Sequence, residues 1–162
     1  MLNLEYLAEL LEQNRAAAKL SVAEFSIGGK EFLFNTRPAL MGVINLSPDS
    51  WYRESVCLSA ESAVTRGEVL AAQGADLVDV GAESTLAHAA RMDDSAQNSK
   101  LLPVIKALRQ ANILVSVETY QAAVTRACLE AGATDYIAKP ADIDHLMSLL
   151  RAHVSRQSRN AQ

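Results

Sequence analysis

Asn45, Ser47, Asp49 and Ser50 close the apolar run of MGVINLSPDSW at 41–51. Asp79, Glu83, Ser84 and Thr85 lie in GADLVDVGAEST at 74–85, Glu118 and Thr119 end ILVSVET at 113–119, and Lys139 follows DYIA at 135–138. Carboxylate and amide oxygens accept N–H donors or hold a hard cation, while hydroxyls and an ammonium meet phosphate oxygens. The set therefore suits a small polar ligand carrying phosphate. Turn and cap chemistry accounts for Pro48-Asp49-Ser50 unaided. It accounts less well for Asp79, a carboxylate flanked by Val78 and Val80, which needs a partner or a ligand.

Four strand–helix units must position these residues. The strands are expected at Ala39–Leu46, Leu77–Gly81, Ile113–Val117 and Asp135–Ala138. A helix striped by Ala60, Ala63, Val64, Gly67 and Ala71 follows the first, with Ser59 as N-cap and Gly74 closing it. Leu101, Leu102, Ile105 and Leu108 stripe the second, with Pro103 expected in its first turn, where a missing N–H costs little. The third runs from about Gln121 to Ala131 before Gly132, and the fourth begins at Asp142. Ahead of them lie a helix striped by Leu4, Leu7 and Leu11, ending near Leu20, and a hairpin turning at Gly28-Gly29.

Strands alternating with helices imply an α/β fold with a parallel sheet and right-handed crossovers. Four units make either an open, flavodoxin-like sheet or half of a TIM barrel. In both, the loops at the carboxyl ends of the strands gather the functional groups, so the residues above share one rim. The open sheet is the expected form, because an isolated half-barrel exposes its inner face. In that form the N-terminal helix is available as cover; a half-barrel would have to close by forming a homodimer or use the N-terminal helix as a plug.

The chain has 162 residues, enough for one domain with a real core, and only 5% are aromatic. A net charge of −4 gives no signal for nucleic acid. No apolar run approaches the ~20 residues of a membrane span. Two cysteines, Cys57 and Cys128, form no CxxC motif. The opening MLNLEYLAELLEQNR carries acids where a signal peptide carries bases, so a cytoplasmic location is expected.

MGVINLSPDSW, GADLVDVGAEST, LLPVIKAL at 101–108 and ILVSVETYQAAVTRACLEAGA at 113–133, in that order and spacing, resemble dihydropteroate synthase. The hairpin FSIGGKEFLF at 25–34 is similar to that family's N-terminal hairpin, so the match covers about 24–133. The resemblance implies a transferase of folate synthesis, in which p-aminobenzoate displaces pyrophosphate from a hydroxymethyl-dihydropterin pyrophosphate with Mg²⁺ assistance. It implies that Asn45 contacts Mg²⁺ and the pyrophosphate, that Ser47, Asp49 and Ser50 lie on a mobile loop over the site, and that Thr85 touches the pyrophosphate end. Asp79 and Glu118 would line the pterin pocket. Where the family has Arg-Pro-Gly after EST, this chain has Leu86-Ala87-His88, with Arg91 further on. Glu118 stands where the family has the shorter Asp. The second half of the family's barrel has no counterpart in this sequence.

From Cys128 onward, LEAGATDYIAKPADIDHLMSLLRAHVSR resembles the last strand and helix of a response-regulator receiver domain. That resemblance implies a phosphate-contacting role for Lys139 and a switch role for Thr119. The acidic pair such a site needs after the first strand is replaced by Asn45-Leu46-Ser47. The two resemblances meet at LEAGA, 129–133, as a fusion seam would. The expected organisation is one domain over 1–162: helix and hairpin to 38, a synthase-like half-barrel at 39–133, a receiver-like strand and helix at 134–156, and a tail. Three functions follow: an incomplete pterin site, a receiver-like switch, or a fold chimera without selected activity.

Overall fold

The computed structural model describes residues 3–21, 23–84, 86 and 89–138. Two short helices, α1 (Leu4–Gln13) and α2 (Arg15–Ala18), precede a hairpin of β1 (Phe25–Ile27) and β2 (Lys30–Phe32). Then come β3 (Met41–Asn45), a 3₁₀ turn at Arg53–Ser55, α3 (Ala60–Ala72), β4 (Leu77–Gly81), α4 (Asp94–Gln110), β5 (Val115–Thr119), α5 (Ala122–Glu130) and β6 (Asp135–Ala138). The expected fourth helix and Lys139 lie outside the described residues.

β3, β4, β5 and β6 form one parallel sheet in chain order. α3 packs on β3 and β4, α4 on β4 and β5, α5 on β5 and β6, and neighbouring helices touch. Every crossover advances one strand in the same direction, so the three helices share one face. That is the winding of a half-barrel, and among the described residues the sheet does not take the open flavodoxin-like form with helices on both faces.

The helix face holds the core: Ile44, Val78, Val80, Val117, Leu101, Val104, Ile105, Leu108 and Val124 are fully buried. Gly42 belongs to it too, since a methyl group there would lie 2.9 Å from Leu70 Cδ1 of α3. Strand alternation then turns every second residue to the inner face. The register aligns Val43, Asp79, Ser116 and Asp135 in one row there, and Asn45, Gly81 and Glu118 in the next row toward the carboxyl ends.

Ser59 caps α3 in a capping box with Ser62, and Gly74 and Gly132 close α3 and α5 at φ 100° and 105°. Three expectations need correction. Pro103 lies well inside α4, which begins much earlier, at Asp94, with the Asp93 carboxylate accepting from Ala96 N at 2.8 Å. Pro103 and Ser99 are both exposed, so the carbonyl left without an amide partner can tilt toward solvent. β5 begins two residues later than expected, because Ile113 N closes α4 on Leu108 O and pairing starts at Val115. Lastly, α1 buries no residue and Leu4, Leu7 and Leu11 stay exposed.

The hairpin turns with Gly28 and Gly29 both at positive φ, as a two-residue turn of this hand requires. It sits at the amino-terminal end of the sheet, with Gly28 against Leu114. Asp76 fastens it there. That buried carboxylate takes both Arg37 guanidinium nitrogens at 3.1 and 2.9 Å, Lys30 Nζ at 2.8 Å and Leu40 N at 2.8 Å. The Arg37 guanidinium, then Lys30 and the Leu40 amide, hold the Asp76 carboxyl well below its usual range. The opposite end is left for the rim.

Candidate functional site

Asn45, Gly81 and Glu118 end adjacent strands and stand side by side on the inner face. A methyl group on Gly81 would lie 3.5 Å from Glu118 Oε2 and 3.8 Å from Asn45 Oδ1. The missing side chain thus leaves a cradle between an amide oxygen and a carboxylate. One row deeper, Ser116 Oγ donates to Asp79 Oδ1 at 2.6 Å, and both residues are buried. The partner that a carboxylate inside an apolar strand needs is therefore a serine across the β4–β5 ladder.

The β3 loop is tied down at the edge of this cradle. Asn45 Nδ2 donates to Ser55 Oγ at 2.7 Å. Asp49 N donates to Ser47 Oγ, and Ser84 Oγ donates to Asp49 O, which joins the β3 loop to the β4 loop. Ser47 and Ser50 are buried and Asp49 is half-buried. Thr85 and His88 lie outside the described residues.

Behind the rim runs a polar network that the sequence reading missed. Gln97, fully buried in α4, donates through Nε2 to Glu83 Oε2 at 2.8 Å and to Gln121 Oε1 at 3.0 Å. Its Oε1 accepts from Thr119 Oγ1 at 2.9 Å. Thr119 therefore faces the helices, away from the row that holds Asn45 and Glu118. Arg91 Nη1 donates to Glu83 Oε1 at 2.6 Å and its guanidinium lies over the Tyr120 ring at 4.8 Å. This network ties the β4 and β5 loops together and fixes the spacing of the groups they carry. Ser116 did leave a signal: it lies two residues before Glu118, so strand alternation puts both on one face.

Both thiols are buried, which favours their protonated form. Burial pushes Cys128 up to about 11 and raises Cys57 as well. Among the described residues, no three His, Cys, Asp or Glu side chains gather to cage a metal ion, and no helix is long and apolar enough to cross a membrane.

A singly wound parallel half-barrel with amide and carboxylate oxygens on its carboxyl-end rim defines an α/β ligand-binding wall of the TIM-barrel type. The chain belongs to the pterin binding enzyme family, whose model matches residues 41–143. That match runs through 129–133 without a break at the expected seam. The dihydropteroate synthase of Clostridium beijerinckii is 36% identical over 108 residues, covering 66% of this chain and 40% of that protein. Among solved structures, Burkholderia cenocepacia dihydropteroate synthase complexed with 7,8-dihydropteroate is 35% identical, with a TM-score of 0.58 over 70% of this chain and 37% of that one. The Xanthomonas albilineans enzyme with 4-aminobenzoic acid is 32% identical, with a TM-score of 0.59 over 72% and 42%. The chain thus spans well under half the length of each of these relatives.

Proposed function

We propose that this chain forms one wall of a dihydropteroate-synthase-type site and binds a dihydropterin pyrophosphate. The observation that carries the proposal is the Asn45–Gly81–Glu118 row above the Asp79–Ser116 pair. A flat pterin has N–H donors along one edge, and the carboxylates of Asp79 and Glu118 are acceptors on one face at two depths. Glu118 is a methylene longer than the family's Asp, which sets its carboxylate further into the cradle and loosens the fit.

The pyrophosphate end would lie toward Asn45, Ser47, Asp49, Ser50 and Thr85. Mg²⁺ fits that corner by its chemistry: it keeps several waters and is held by one or two protein oxygens together with substrate phosphates. Asn45 Oδ1 would hold it, and the ion would supply charge that stabilises the departing pyrophosphate. In the full reaction the amine of p-aminobenzoate forms a bond to the pterin methylene carbon as the carbon–oxygen bond to pyrophosphate breaks. One wall orients the pterin but does not enclose both substrates, so this chain alone binds weakly and turns over little or nothing. A second copy closing over the inner face would set Asp79, Glu118 and Asp135 against the same three acids. A homodimer through that face therefore needs a cation between them.

The receiver-like alternative has less to support it. Asp79 lies mid-strand with Ser116 on its carboxylate, and the Thr119 hydroxyl is engaged with Gln97. A chimera joined at 129–133 would sit inside the stretch the pterin-binding family matches. Titration with hydroxymethyl-dihydropterin pyrophosphate tests the proposal. Binding that needs Mg²⁺ and weakens in Asn45→Ala supports it; no binding at millimolar ligand removes it.

A further inference from the structure

Asn45 has two unlike ends, and a cation accepts only one of them. Oδ1 offers lone pairs, whereas Nδ2 offers protons that repel a cation. Ser55 decides which end faces the rim. Its hydroxyl has a single proton, which it donates to Tyr52 O at 2.7 Å. Toward Asn45 it therefore presents only lone pairs, and the 2.7 Å contact between them takes Nδ2 as the donor. Oδ1 is left on the far side, toward Gly81 and Glu118.

The arrangement cannot relax by drifting apart. Ser55 is fully buried at the end of the 3₁₀ turn. The next residues are laced to β3, with Val56 bridged to Asn45 and Cys57 N donating to Asn45 O at 2.8 Å. We propose that Ser55 is a positioning residue. It locks the Asn45 amide with its carbonyl oxygen facing the rim, and so selects a cation-bridged pyrophosphate over a bare anion. The inference rests on the pterin-pyrophosphate proposal and adds the device that sets its metal preference.

The test compares Asn45→Ala, Ser55→Ala and Ser55→Thr with the unaltered chain. Ser55→Ala should lower Mg²⁺-dependent affinity for dihydropterin pyrophosphate about tenfold, as is usual when the group orienting a metal ligand is removed. It should leave affinity for the pterin lacking pyrophosphate unchanged. Ser55→Thr, which keeps the hydroxyl, should restore Mg²⁺-dependent binding. If Asn45→Ala weakens that binding and Ser55→Ala does not, the positioning role is wrong while the site assignment stands. If neither variant has an effect, both are wrong. Should Ser55→Ala fail to fold, nuclear magnetic resonance on the unaltered chain decides. Slow solvent exchange of the Asn45 side-chain NH₂ protons supports the lock, and exchange at the rate of an exposed amide overturns it.

Discussion

The Ser116 hydroxyl donates to the Asp79 carboxylate at 2.6 Å across two adjacent strands, with both residues buried on the inner face of the sheet. This pair explains how a carboxylate persists in the run Val78-Asp79-Val80. Alternation turns Asp79 away from the valine core, and a donor meets it from the neighbouring strand.

Removing that donor should cost stability as well as binding. Ser116→Ala leaves a buried carboxylate short of one hydrogen bond, for which about 1–3 kcal/mol is the usual loss. Urea unfolding followed by circular dichroism measures it. A variant as stable as the parent would mean that Asp79 does not depend on Ser116.

Gly81→Ala separates folding from function. The added methyl meets Glu118 Oε2 at 3.5 Å and Asn45 Oδ1 at 3.8 Å, both ordinary contacts. Stability should stay within about 1 kcal/mol of the parent, since Gly to Ala at a compatible backbone is neutral or helpful. Dihydropterin pyrophosphate affinity should drop sharply, because the methyl occupies the cradle. A calorimetric titration beside a urea melt checks both halves.

Asp76 governs the acid limb of stability. Its carboxyl is depressed in the folded state from the ordinary 3.8, first by Arg37 and then by Lys30. The unfolded chain therefore binds the proton more readily, so this contribution is present above about pH 4 and is lost as pH falls toward the folded value. Arg37→Gln should reduce the loss of unfolding free energy between pH 5 and pH 3. Parallel pH profiles for parent and variant would rule the linkage out.

Much of this was legible in the sequence. Short buried apolar runs gave the four strands, and Ser59, Gly74 and Gly132 marked real helix ends because each has a local chemical reason to be there. The first half of α4, DSAQNSK, was not legible: it lacks an apolar stripe, and its buried member is the polar Gln97. The choice between open sheet and half-barrel was also hidden, since strand periodicity is the same in both and only the direction of successive crossovers separates them. Asp79 stood out as a charge in an apolar run. Ser116 could be placed only on the same face as Glu118, two residues away, and its pairing with Asp79 needed the β4–β5 register. The orienting Ser55 gave no signal, because a serine in a turn carries none until its neighbour across the fold is known.

The central claim is that the Asn45–Gly81–Glu118 row binds a metal-bridged pterin pyrophosphate, and a thermal melt tests it most directly. With ligand at about 10 times Kd and Mg²⁺ present, binding adds about 1.4 kcal/mol, which for a chain of this size raises Tm by roughly 3–6 °C. The prediction is a rise that requires both ligand and Mg²⁺ and disappears in Gly81→Ala and Asn45→Ala. An unchanged Tm at millimolar ligand, or a rise that survives in both variants, would contradict it.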